Sequence, residues 1–309
     1  MTHPILKRLL GAIATLIVVS LVTFVALEST LGDAATALVG DTASAAQLQT
    51  LRAEMGIDQP LVLRYGNFLS DLVFKGELGH SLISNKSVSD LLLERLPYTI
   101  TLALVAAALA TIIGMLIGIA AAVKAGSILD TILMSGAALG IAIPTFWSAL
   151  LLMLVFSVRL RWLPVVGAED WRYFVLPAIT LALPTAAVTA RLMRSSLLDV
   201  LRSDYVRTAH SKGLAPNHVL AHHVVRNSLI PVITMLGLQL GYLLGGAFIV
   251  ETIFGLPGLG RLTVQAIFDR DYPIVLGTTL TVAVIFIVIN FLVDLAHGWL
   301  DPQIAYKTL

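Results

Sequence analysis

Cysteine is absent from all 309 residues of the chain. That absence removes disulfide frameworks, thiolate metal sites and cysteine nucleophiles, and it leaves the compartment unmarked by redox chemistry. Charge is scarce as well: Asp, Glu, Lys and Arg make up 13% of the residues, about half the share usual in soluble domains. The charges nearly cancel, with a formal net of +1, so a nucleic-acid partner has no basic footprint to rest on. Missing too is any G-x-x-x-x-G-K-[S/T] phosphate loop. Nucleotide chemistry, if the protein depends on it, therefore belongs to a partner.

What the chain has in abundance is apolar surface. Hydrophobic residues make up 57% of it and the mean hydropathy is +0.90, which marks an all-α integral membrane protein. Crossing the hydrocarbon core takes roughly 20 apolar residues. About six stretches qualify by that length rule, near 9–27, 100–123, 132–158, 174–192, 229–253 and 275–293. Lys7 and Arg8 before the first run imitate a signal peptide, but the run is long enough to span and reads as a retained helix.

Lys and Arg mark the cytoplasmic side. Lys7, Arg8 and Lys124 flank the first two spans, and Arg191, Arg194, Arg202, Arg207, Lys212 and Arg226 cluster between the fourth and fifth. These segments fall on one side of a six-span chain, so both termini are expected in the cytoplasm. The loop at 31–98 lies outside, where Asp58-Gln59-Pro60 starts a helix and "LVLRYGNFLSDLVFKG" runs amphipathically to Gly76.

Small residues recur every fourth position at Gly114 and Gly118, and at Gly237, Gly241 and Gly245. Such ladders allow close helix packing in lipid, the triple one most clearly, although glycine is also simply commoner in membrane helices. Pro144, Pro177 and Pro184 interrupt apolar runs and are expected to bend them.

The most polar inter-span segment is "SDYVRTAHSKG". Ser203 suits an N-cap, Asp204 the positive end of the helix dipole, Lys212 the last turn and Gly213 the stop. Tyr205, Ala209 and Gly213 share a face, shaped for a groove on a partner or left as a solvated connector. Pro216 opens a second helix, which carries Arg226 and Asn227 into the fifth span at Pro231.

Arg207-Thr208-Ala209-x-x-Lys212-Gly213, followed by "RNSLIP" at 226–231, resembles the cytoplasmic-loop signature of permease subunits of binding-protein-dependent ABC importers, in their dipeptide, oligopeptide and nickel branch. "MGIDQPLVLRYGNFL" at 55–69, "GELGHS" at 76–81, "RLPYTI" at 95–100, "VETIFGLPGLGRL" with "AIFDRDYPIVLG" over 250–277, and the terminal "LVDLAHGWLDPQI" extend the resemblance along the chain. Two departures stand out: Arg207 replaces the generic glutamate, as is normal in this branch, and Leu31-Gly32-Asp33-Ala34 replaces the branch's P-G-D-P.

The resemblance implies a type I ABC importer permease fold in the bacterial inner membrane. It divides the chain into an N-terminal span with its outer loop (1–94), a core domain (95–301) and a tail (302–309). It makes 203–214 a coupling helix, with Tyr205, Arg207, Thr208, Ala209, Lys212 and Gly213 meeting an ATPase. The implied partners are a homologous second permease, two cytoplasmic ATPases that bind ATP and magnesium, and an extracytoplasmic solute-binding protein. This chain itself would carry no cofactor and would not be an enzyme. The expected cargo is a di- or oligopeptide moved by alternating access, with nickel chelates, glutathione or another small solute as alternatives. An ion-coupled carrier would need a charged residue near mid-membrane and inverted repeats, neither of which is evident. An intramembrane hydrolase would need a paired nucleophile and base.

Polar residues within spans are candidates for the path: Gln239, Glu251, Asn290 and Asp294. Glu251 is placed to meet a substrate amine or a neighbouring helix end. His218 and His222 have helical metal-ligand spacing, but "HVLAH" lacks the glutamate of H-E-x-x-H and reads better as a hydrated face. "GLPGLGR" at 255–261 reads as a tight outer turn and not a phosphate loop, since no strand precedes it.

Overall fold

The structure, a computed structural model, describes residues 2–30, 58–300 and a few positions between 44 and 50, with side chains described as far as residue 293. Leu31–Ala34, the side chain of Asp294 and the tail 302–309 lie outside the described residues. Among the described residues every regular element is a helix. In chain order these are α1 (Thr2–Thr30), α2 (Leu61–Ser70), α3 (Val88–Val123), α4 (Ile128–Ala142), α5 (Thr145–Leu152), α6 (Arg172–Leu201), α7 (Asp204–Ser211), α8 (Arg226–Phe254), α9 (Leu259–Phe268) and α10 (Tyr272–Leu300). Three π-helical turns extend them: Asp71–Lys75 after α2, Met153–Arg159 after α5, and Val219–Val225 before α8. Helices follow directly from the apolar runs, because in lipid each backbone N–H and C=O must be satisfied within its own segment.

Among the described residues five helices are long and apolar enough to cross a membrane, and there are six when α4 with α5 and its extension, bent by 104°, is counted as one broken span. The kink expected at Pro144 is a full break. Pro144 has no N–H to give and drives Ile143 into an extended conformation (ψ 123°). The broken pair nonetheless traverses its bundle, since Asp130 at its start pairs with Arg194 near the end of α6 while its exit leads into the start of α6. Pro177 and Pro184, expected to bend the fourth span, lie within an α6 that continues through both.

Packing separates two units, Met1–Thr99 with Pro257–Val288, and Ile100–Leu256 with Ile289–Thr308. The boundary expected at residues 94–95 lies inside α3, and residues 257–288 cluster with the N-terminal segment.

In the first unit α2 lies along α1. The Tyr65 hydroxyl meets Ser20 Oγ at 2.8 Å, and the Phe24 and Tyr65 rings meet edge-on at 5.5 Å. The amphipathic helix read from the sequence ends as expected at Gly76, with φ +68°. Just before it, the Asp71 carboxylate accepts from the Lys75 ammonium at 2.6 Å and holds that group's pKa above its ordinary value. The outer turn at 80–87 is closed by the buried carboxylate of Asp271, which accepts from the Ser81 hydroxyl and the Leu82 N–H. Removing that carboxylate leaves both donors without their acceptor, at a cost of about 2 kcal/mol. Asp271→Ala is therefore expected to expose residues 81–87 to rapid amide exchange while the exchange of α3 stays slow. Unchanged protection of the turn would show that the carboxylate does not hold it.

The second unit is organised around α6, 61% of whose spanning window is buried. A Cβ built on Gly114 would lie 2.7 Å from the Ala186 carbonyl oxygen, and one on Gly118 would lie 2.6 Å from that of Ala190. The α3–α6 seam therefore depends on both glycines. The fifth-span ladder, the clearer of the two in the sequence, is less uniform. A Cβ on Gly237 would lie 2.5 Å from the Val293 methyls, whereas one on Gly245 would meet nothing within 4 Å. Leu238, Tyr242 and Ile249, on the same side of α8 as Gly245, are 57%, 60% and 51% exposed.

Candidate functional site

The polar inter-span segment folds as α7, framed by Ser203 and Lys212. Ser203 has the extended N-cap backbone, but its hydroxyl donates to the Val200 carbonyl (2.6 Å) and does not cap α7. Lys212 is the C-cap residue and not part of the last turn, and Gly213 at φ +80° ends the helix, a conformation that glycine adopts without steric cost. Asp204 lies in the first turn, and its pairing with Arg207 at 3.6 Å is fully solvated.

The inward face of α7 consists of Val206 and Ala209, three residues apart. They enter a cluster with Ala122 of α3, Met193 and Leu197 of α6, Val219 and Val224 of the π-helical turn, and Val232 of α8. The small helix thus shares a buried cluster with side chains from three long helices. This corrects the stripe read from the sequence: Ala209 faces the chain's own core, and only Tyr205 and Gly213 of that stripe face outward. Arg207, Thr208, His210, Ser211 and Lys212 complete the outward surface. Ala209 is small because it sits buried where α7 meets the rest of the chain, a reason visible only once the fold is known.

Two features tie this surface down. The Tyr205 hydroxyl accepts from Asn227 Nδ2 at 3.0 Å, and the same amide donates to the His223 carbonyl at 2.8 Å. Ser196 of α6 donates to the Ser228 carbonyl of α8 at 3.0 Å. Sequence reasoning missed both Val206 and Asn227. The i, i+3 spacing of Val206 and Ala209 was the available signal for the first; the second stands in "RNSLIP", which does not reveal its bond to Tyr205 across 22 positions.

Two histidines meet at the start of the π-helical turn. His218 and His222 stack face to face at 4.4 Å between ring centres. No grouping of three potential metal ligands occurs among the described residues.

Of the candidate path residues, Gln239 is 8% exposed and Glu251 fully buried. Asn290 is half-buried, and neither it nor Glu251 is free of partners. Burial removes Glu251 from the reach of a substrate amine in this conformation. The turn at 255–258 is a helix stop, with Gly255 at φ +64° and the Leu256 N–H donating back to the Glu251 carbonyl at 2.9 Å. In the first unit α9 then begins with the Leu259 N–H held by the Thr99 hydroxyl at 2.8 Å.

Two cavities, of about 650 and 610 Å³, are lined by apolar residues with only Ser20, Thr281 and Thr101 among them carrying hydroxyls. A solute with charged termini would find no ionic partner in either one.

Long apolar helices joined by one short solvated helix define a polytopic membrane protein. The chain belongs to the family of binding-protein-dependent transport system inner membrane components, which matches residues 114–306, and the N-terminal family of the same transport systems matches residues 1–103. It is 42% identical over 307 residues to the glutathione transport system permease protein GsiC of Escherichia coli strain K12, covering 99% of this chain and 100% of that one. The same protein from Salmonella typhimurium strain LT2 matches at 42% with the same coverage. Among solved structures, the inward-facing MetNI methionine ABC transporter aligns with a TM-score of 0.56 at 16% identity, covering 68% of this chain and 96% of that one. An amino acid ABC transporter with histidines aligns at 0.53 and 17% identity, covering 68% and 94%. These two share the fold. The protein is therefore a multi-pass inner-membrane permease of an ABC importer.

Proposed function

We propose that this permease carries short peptides of the glutathione class across the inner membrane by alternating access, driven by ATP hydrolysed on partner subunits. The observation that carries the reading is the seating of α7: Val206 and Ala209 enter a buried cluster that also holds residues of α3, α6 and α8, while Tyr205, Arg207, Thr208 and Lys212 stay exposed for an ATPase. Movement of the ATPase would reach three spans without passing through a flexible linker. Identity of 42% along the full length of the glutathione permeases supports the cargo class.

The working assembly in this reading holds a homologous second permease, two ATPases with ATP and magnesium, and a solute-binding protein. The unfilled glycine face around Gly245 and the apolar character of the two cavities fit a path completed by the second permease and not enclosed by one chain. Weaker binding of the cargo in the inward-facing state than in the outward-facing one would then let the ATP-driven switch release it.

The test is uptake into proteoliposomes that contain the complete importer, with radiolabelled glutathione, a dipeptide and a nickel chelate offered in parallel. ATP-dependent accumulation of glutathione or the dipeptide is the expected result. Uptake of the nickel chelate alone would overturn the cargo, and uptake that persists without the ATPases would overturn the mechanism.

A further inference from the structure

The first half of the broken span packs along α6 with few fully buried side chains. Of the residues of α4 only Asp130 and Ala137 are buried. Gly140 adds a close approach to α6, where an added Cβ would sit 3.3 Å from the Ala187 methyl. Beside that apolar contact stands one strong polar tie. Arg194 Nε donates to Asp130 Oδ1 at 2.7 Å, and Arg194 Nη2 donates to Oδ2 at 2.6 Å, a bidentate pairing that fixes distance and angle together. The Gly126 N–H donates to Oδ2 at 2.9 Å, so the carboxylate also fastens the α3–α4 loop. The Asp130 side chain is 7% exposed and that of Arg194 is 29% exposed.

Arg194 stands directly after Met193 and three residues before Leu197, two α6 residues that share a buried cluster with Val206 and Ala209 of α7. One stretch of α6 therefore joins the cluster that seats the coupling helix through its apolar side chains and meets the broken span through its guanidinium. We infer that Asp130 and Arg194 are positioning residues which carry displacement of α7, through the end of α6, to the broken span α4–α5. The inference rests on the coupling reading of α7. Physically contiguous contacts of this kind transmit a shift because a bidentate pair with a buried carboxylate resists both sliding and rotation. The apolar α4–α6 contact alone permits both, since small residues pack without directional preference.

The complete importer in proteoliposomes provides the test, with uptake and ATP hydrolysis measured on the same preparation. For Asp130→Asn and Arg194→Gln the expected result is ATP hydrolysis within about twofold of the unaltered complex and uptake lowered about tenfold, so that ATP consumed per solute imported rises about fivefold or more. Arg194→Lys keeps the charge but loses the fork, and is expected to fall between these variants and the unaltered protein. If a single variant fails to accumulate because it leaves a buried charge unpaired, the neutral double variant Asp130→Asn with Arg194→Gln is read in the same way. An unchanged ratio of ATP to solute, or a parallel fall in both rates, overturns the inference. Failure of the coupling reading itself looks different, because the unaltered complex would then import without ATP.

Discussion

Ala209→Phe is expected to stop ATP-driven uptake while the ATPases remain bound and active. Ala209 is 7% exposed and lies in the cluster that joins α7 to Met193, Leu197 and Val224. A phenyl ring has no room there, and forcing it in displaces either its neighbours or α7 itself. Displacing α7 costs less, because an eight-residue helix held by two buried side chains moves more readily than the long α6. The outward residues Tyr205, Arg207 and Lys212 would still reach a partner, but from the wrong place. Uptake is expected to fall about a hundredfold, near the upper end of what coupling between sites ordinarily supplies, with ATP hydrolysis changed far less. Solute accumulation and phosphate release on one proteoliposome preparation check this. Normal uptake by the Ala209→Phe importer would remove α7 from the coupling route.

Gly118→Leu is expected to be the most destabilising single change in the second unit. Its first added carbon would lie 2.6 Å from the Ala190 carbonyl oxygen and 2.7 Å from Met193 Cβ. The oxygen belongs to the backbone of α6 and cannot rotate away, so the seam itself must open. Overpacking at such a site costs about 3 kcal/mol. The measurement is the midpoint of unfolding in a mixed micelle, with Gly245→Leu as the comparison. Gly245 has open space around it, so the same leucine there should leave the midpoint of the isolated chain unchanged. Equal midpoints for both variants would mean that the α3–α6 seam is not set by its glycines.

The contrast between the two glycine ladders shows how far the sequence could be read. Both obey the same spacing, and three glycines make a more persuasive pattern than two. Spacing, however, reports only which residues share a face, not what lies opposite. Gly114 and Gly118 face α6, whereas of the longer ladder Gly237 is pressed against Val293 and Gly245 faces open space. Pro144 gives a similar lesson. Its lost hydrogen bond was predictable, yet the same chemistry leaves α6 continuous at Pro177 and Pro184 and breaks the third span by 104°. What differs is burial: α6 is enclosed by neighbours that hold it in place, while α4 and α5 are mostly exposed.

By itself the sequence determined the membrane setting, the approximate positions of the spans, the short polar helix ending at Gly213 and the family resemblance, because each depends on composition or on residues close together along the chain. Tertiary structure alone decided that Ala209 faces inward, that Glu251 is buried and that Asp130 meets Arg194 across 64 positions of sequence. Local pattern fixes the faces of a helix through its 3.6-residue period. Which face meets which neighbour is settled only when the helices pack, by the fit of side chains that the chain itself keeps far apart.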